Sequence, residues 1–141
     1  MYDSYNPYAE LYANPKGPGD TRPTALQIVR DNDLSNKWTD IVVLVTGAAS
    51  GLGIEAARAL HATGADVFIT ARDTTKAQGV IDDIKKSSQG SGKLEVVEVN
   101  MNSFDSVKKA ARVFLAKSSK LNILINNAGV HPRTEHFGIR S

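Results

Sequence analysis

The stretch Val42–Gly53, V-V-L-V-T-G-A-A-S-G-L-G, decides the fold. An apolar run, Ile41–Val45, stops at Thr46-Gly47, and small residues then lead into a helical pattern. The pattern predicts a buried strand, a tight glycine turn and a helix whose first N–H groups stand free to receive an anion. Gly47 permits a turn that a side chain would obstruct, and Gly51 lets the main chain come close to a pyrophosphate. Gly53 lets the helix lie tightly on its strand.

Downstream, strand and helix alternate. Leu52–Thr63 reads as the first helix, with Ile54, Ala57 and Leu60 inward, His61 on the surface, and Gly64 as its stop. Ala65–Ala71 is the second strand, and Asp73 is placed to cap the helix Thr74–Ser88. After the loop Gln89-Gly90-Ser91-Gly92 comes a third strand, Leu94–Val99. Ser103 or Asp105 opens a third helix whose buried face is Val107, Ala110, Ala111, Phe114 and Leu115. Leu121–Asn126 is the fourth strand. Apolar, β-branched strands separated by helices predict an α/β fold with a doubly wound parallel sheet. Right-handed crossovers give the strand order 3-2-1-4, with a ligand crevice where the order reverses, between strands 1 and 4.

Upstream, residues 1–22 read as a flexible arm rich in Tyr and Pro. All four tyrosines, Tyr2, Tyr5, Tyr8 and Tyr12, lie in it, and Pro7 interrupts any helix that would align them. The arm is either an extended tail or a strap whose tyrosines cover apolar surface. Residues 23–40 form a lead-in helix and linker, residues 41–130 a dinucleotide-binding half-domain, and residues 131–141 a mobile tail.

The chain has 141 residues, enough for one domain with a core. Its net charge of +2 comes from 17 basic and 15 acidic residues scattered without a dense block, so no nucleic-acid footprint emerges. Cysteine is absent, which removes disulfides and thiolate chemistry. The longest apolar run is far short of the roughly 20 residues of a membrane helix. No secretory leader is visible, and a cytoplasmic location is expected.

Thr46-Gly47-Ala48-Ala49-Ser50-Gly51-Leu52-Gly53 resembles the T-G-x-x-x-G-x-G of the short-chain dehydrogenases/reductases, and Asn126-Asn127-Ala128-Gly129 is similar to their N-N-A-G segment. The resemblance covers about Ala25 to Val130 and is nearest to the retinol-dehydrogenase-like branch and its fungal relatives. It implies a partial Rossmann-type sheet and a nicotinamide dinucleotide as cofactor. Gly47, Ser50, Gly51, Leu52 and Gly53 would hold the pyrophosphate. Arg72, at the end of the second strand, suits a 2′-phosphate and favours NADP over NAD. Asp73 reads either as the helix cap or as a ribose ligand. Where the family usually has Asp and an aliphatic residue beside the adenine, this chain has Asn100-Met101; asparagine can still accept from the adenine amine, without charge. Asn127, Ala128 and Gly129 would pass beneath the nicotinamide-side ribose, and Asn126 serves either there or in bracing the sheet.

The family's catalytic Ser and Tyr-x-x-x-Lys lie on elements after the N-N-A-G strand, and this chain ends at Ser141 without them. The one Tyr-x-x-x-Lys by spacing, Tyr12 to Lys16, contains Pro15 and precedes the glycine turn, so it is not a catalytic pair. No catalytic residue is assigned. His131, Glu135 and His136 could in principle ligate a metal, but they sit in the tail and no metal site is assigned. The reading is therefore the NADP(H)-binding portion of an oxidoreductase, truncated after the fourth strand and not catalytic alone. The alternative is a non-catalytic module that binds a cofactor or a partner. An apolar fourth strand without a neighbour leaves an open edge, which predicts self-association or a protein partner.

Overall fold

Four parallel strands carry the fold in the computed structural model, which describes residues 6–129. β1 (Val42–Val45) pairs with β2 (Asp66–Ala71) on one side and β4 (Ile123–Ile125) on the other, and β2 pairs with β3 (Leu94–Glu98). The sheet order is β3-β2-β1-β4, as the alternation of strands and helices predicts. In register, Val43 lies opposite both Val67 and Ile123.

Alternate side chains along each strand point to opposite faces, which divides the core in two. On one face Val43, Val45, Val67 and Ile69 pack with Ala57, Ala77, Ile81 and Ile84. The last four come from α3 (Leu52–Ala62) and α4 (Thr74–Ser88). On the other face Val42, Phe68, Val97 and Val99 meet Ala110 and Phe114 of α5 (Phe104–Lys117). The Phe68 and Phe114 rings stand edge to face with centroids 5.0 Å apart, a geometry aromatic pairs favour.

Thr24 caps the lead-in helix α2 (Ala25–Asp31), which packs through Val29 against Ala59 and Ala62 of α3. Asn36 locks the linker to the base of the domain: its N–H donates to Ala62, its Oδ1 accepts from Ser91 N at 2.8 Å and its Nδ2 donates to Gln89 O. Four features depart from the sequence reading. Within the arm, residues after Pro7 form a single helical turn, α1 (Ala9–Tyr12), and the Tyr8 hydroxyl donates to the Asp31 carboxylate at 3.1 Å, a polar contact with α2. Tyr2 and Tyr5 lie outside the described residues. β4 spans three residues instead of six, because only Ile123–Ile125 finds partners on β1.

His61 is the third departure. It is 2% exposed, not on the surface. It lies four residues after Ala57, on the buried side of α3. Its Nε2 donates to the Gly92 carbonyl at 2.9 Å, and its Nδ1 meets the Ser88 hydroxyl at 2.6 Å. The imidazole thus ties the ends of α3 and α4 to the loop before β3. The fourth departure is on α5, where only Ala110 and Phe114 of the expected face are buried; Val107 and Ala111 are exposed and Leu115 is 67% exposed. The spacing gives the apolar side of this helix correctly, but nothing among the described residues lies over its outer half.

Candidate functional site

At the carboxyl ends of the strands a cleft of about 640 Å³ opens across the sheet. It brings together Gly47, Ser50 and Leu52 from the glycine turn, Arg72 from β2, Asn100 and Met101 from beyond β3, and Asn127, Ala128 and Gly129 from beyond β4. Gly51 and Gly53 stand on the same turn but do not line its wall.

The turn is shaped by buried hydroxyls that sequence reasoning missed. Thr70 Oγ1 accepts from Gly47 N at 3.1 Å, and its carbonyl accepts from Ala48 N at 3.2 Å. Thr46 Oγ1 accepts from Ala128 N at 3.0 Å, fastening the segment after β4 to the end of β1. Both threonines are under 9% exposed. A signal was present: each is a hydroxyl residue at a strand's carboxyl end, one position beyond the paired Val45 and Ile69.

The glycines have separable jobs. Gly47 takes φ +65°, and a Cβ there would come within 2.8 Å of Ala128 Cα. Gly51 also has positive φ, yet nothing lies within 4 Å of where its Cβ would be. Gly51 therefore faces open space, as close approach of a ligand to the main chain requires. Gly53 packs inward, with Ala48 Cα at 2.8 Å and Asn127 Nδ2 at 2.6 Å from a notional Cβ.

The helix that begins here is capped by Gly51, with no side-chain hydrogen bond. Thr24, Asp73 and Ser103 cap α2, α4 and α5 with their side chains. The N-terminus of α3 therefore points first-turn N–H groups that lack a side-chain cap among the described residues, and the positive end of its dipole, toward the cleft, a setting that favours an anion.

Arg72 is exposed at the cleft wall and makes no ion pair among the described residues. Asp73 is committed elsewhere: its Oδ1 accepts from Lys76 N at 2.9 Å, which makes it the α4 cap. In the N-N-A-G segment, Asn127 Nδ2 donates to Thr46 O at 3.0 Å and Gly47 O at 3.3 Å. Asn127 is thus the brace between β4 and the glycine turn, and its neighbour Asn126 is exposed on the cleft. Leu52 is 85% exposed, which leaves its side chain to ligand or solvent.

Behind this cleft, on the α5 face, lies a second, almost wholly apolar groove of about 380 Å³, walled by Leu44, Val97, Val99, Phe114, Leu115 and Leu121. Among the described residues no cluster of His, Cys, Asp and Glu is arranged for a metal, and no helix is long and apolar enough to cross a membrane. His131, Glu135 and His136 lie outside the described residues.

Comparison with known proteins gives a consistent result. The family model for short chain dehydrogenase matches residues 41–138. The short-chain dehydrogenase/reductase prx1 of Penicillium rubens is 43% identical over 123 residues, 87% of this chain and 35% of its own length. Mouse retinol dehydrogenase 12 is 42% identical over 89 residues, 63% of this chain and 28% of its own length. A metagenomic short-chain oxidoreductase solved in complex with NADP superposes with a TM-score of 0.58 at 36% identity, covering 64% of this chain and 39% of that one. The chain thus spans about a third of the length of the relatives it matches.

Proposed function

This chain belongs to the short-chain dehydrogenase family, and from that premise we propose that it is the NADP(H)-binding portion of a carbonyl- or alcohol-converting oxidoreductase. The observation that carries the reading is the N-terminus of α3, without a side-chain cap, opening beside Gly51 into a cleft that also holds Arg72, which makes no ion pair among the described residues. The pyrophosphate rests on the N–H groups of the Gly51–Gly53 turn. Arg72 takes the 2′-phosphate in a charge-assisted contact, and Asp73, occupied with its helix, does not compete. Support for the phosphorylated cofactor also comes from the NADP held by the metagenomic relative.

When bound, the nicotinamide supplies or accepts a hydride. The chain's own residues bind and orient it: Thr46 and Asn127 fix the wall on which Asn126–Gly129 meets the nicotinamide-side ribose. No Ser with Tyr-x-x-x-Lys follows Gly129 in these 141 residues, and the role proposed for them is cofactor binding. The reading places it in the cytoplasm. A second reading, a partner-binding module, is favoured by the edge of β4, which has no further strand beside it among the described residues, and by the adjacent apolar groove, with Leu124 50% and Leu121 40% exposed. Through that edge the chain self-associates or meets a protein partner.

Isothermal titration with NADPH and NADH tests the cofactor reading. NADPH is expected to bind more tightly, and Arg72→Ala to erase the difference by weakening NADPH alone. Equal binding of both by the wild type, or an unchanged preference in the variant, refutes the NADP assignment.

A further inference from the structure

Resting on the cofactor reading above, we infer that Asn100 makes the purine end of the cleft accept a 6-oxopurine dinucleotide as readily as an adenine one. Strand order fixes the sequence of subsites: Asn126–Gly129 after β4, the glycine turn after β1, Arg72 after β2, and Asn100–Met101 after β3. A dinucleotide with its pyrophosphate on the turn and its phosphorylated ribose at Arg72 therefore sets its base against Asn100.

Asn100 has few groups left to offer. Its N–H is paired with Ser106 Oγ at 2.8 Å, and its carbonyl accepts from Ser103 N at 3.1 Å. Its side-chain Oδ1 accepts from Asn102 N at 3.0 Å. That last bond settles which end of the amide is oxygen, because a backbone N–H requires an acceptor. With one lone pair of Oδ1 engaged in its own loop, the amide offers a ligand both the Nδ2 donor and the remaining lone pair of Oδ1.

An adenine presents a donor, the 6-amino group, which the remaining Oδ1 lone pair can accept and which a carboxylate in place of Asn100 would accept more strongly. A hypoxanthine carries the 6-oxo acceptor there, which Nδ2 can meet. Asparagine thus replaces the charged acceptor that would select adenine with a neutral amide that can meet either base.

The test is titration of the wild type and Asn100→Asp with NADP and with nicotinamide hypoxanthine dinucleotide phosphate. The aspartate keeps an oxygen for Asn102 N, so the loop is retained, and the melting temperature checks it. In the wild type the two dinucleotides are expected to bind within about threefold of each other. In Asn100→Asp the adenine form is expected to lead by about tenfold or more, the scale of one charge-assisted bond exchanged for an oxygen–oxygen contact. A wild type that prefers adenine by tenfold, or a ratio unmoved by the aspartate, overturns this inference and leaves the cofactor reading standing. Failure of both dinucleotides to bind the wild type overturns the cofactor reading itself and this inference with it.

Discussion

Replacing Gly53 by alanine sets two opposed effects against each other, and the structure decides the sign. Within a helix alanine is favoured over glycine by about 1 kcal/mol, so propensity alone makes Gly53→Ala stabilising. Gly53 has no left-handed backbone to protect, which removes strain from the argument. Packing opposes the gain. The new Cβ would stand 2.8 Å from Ala48 Cα and 2.6 Å from Asn127 Nδ2, and the first of these is backbone. Displacing Asn127 breaks its bonds to Thr46 O and Gly47 O, at about 1 kcal/mol each. Overpacking against Ala48 adds about 1–3 kcal/mol. Set against the propensity gain, the net is a destabilisation of about 2–4 kcal/mol. Urea unfolding followed by circular dichroism measures it, and NADPH affinity should fall as the turn shifts. In an Asn127→Ala background, where both of those bonds are already gone, the added cost of Gly53→Ala should shrink by about 2 kcal/mol, since contacting residues couple. A variant as stable as the wild type or more so, or full additivity with Asn127→Ala, refutes the claim that this glycine seats the turn on its brace.

Removal of His61 tests the tie between α3, α4 and the β3 loop. His61→Leu leaves the Ser88 hydroxyl and Gly92 carbonyl without partners and should cost about 3 kcal/mol in the same unfolding assay; an unchanged midpoint contradicts the role. Asp20 gives a pH prediction. A side-chain hydrogen bond from Arg22 and backbone N–H donors hold its carboxyl well below the usual range. Its folded pKa is depressed, so its contribution is present above the unfolded value of about 4 and is lost only as pH falls through the folded one. Carbon NMR of the Asp20 carboxyl should show no titration step near pH 4; a step there refutes the turn. Leu124→Lys places a charge on the open edge of the sheet and should shift concentration-dependent sedimentation toward monomer. Identical sedimentation of variant and wild type sinks the edge-association reading.

The strands were legible because a buried parallel sheet needs near-continuous apolar runs, and Val42–Val45 and Val67–Ile69 are such runs between glycine-marked turns. What resisted reading depended on register and neighbours. Asn126 and Asn127 are chemically identical, and only the pairing of β4 with β1 decides which one turns inward. Thr70 reads as an ordinary strand residue, and Thr46 as the point where the strand stops, until the register sets them side by side beneath the turn. His61 shares the Ala57 side of its helix, but a polar ring reads as a surface group until a hydroxyl and a carbonyl are seen waiting for it. On α5 the periodicity marks an apolar stripe correctly, yet periodicity cannot say whether another element lies over it.

The phosphate cradle where β1 bends into α3 is tested most directly by titrating the ¹⁵N-labelled chain with NADP and following its backbone amides. The account predicts the largest shifts at Gly51, Leu52 and Gly53, with smaller ones at Arg72 and at Asn100-Met101. Shifts confined to the α5 groove, or amides of the turn that stay fixed at saturating NADP, would contradict it.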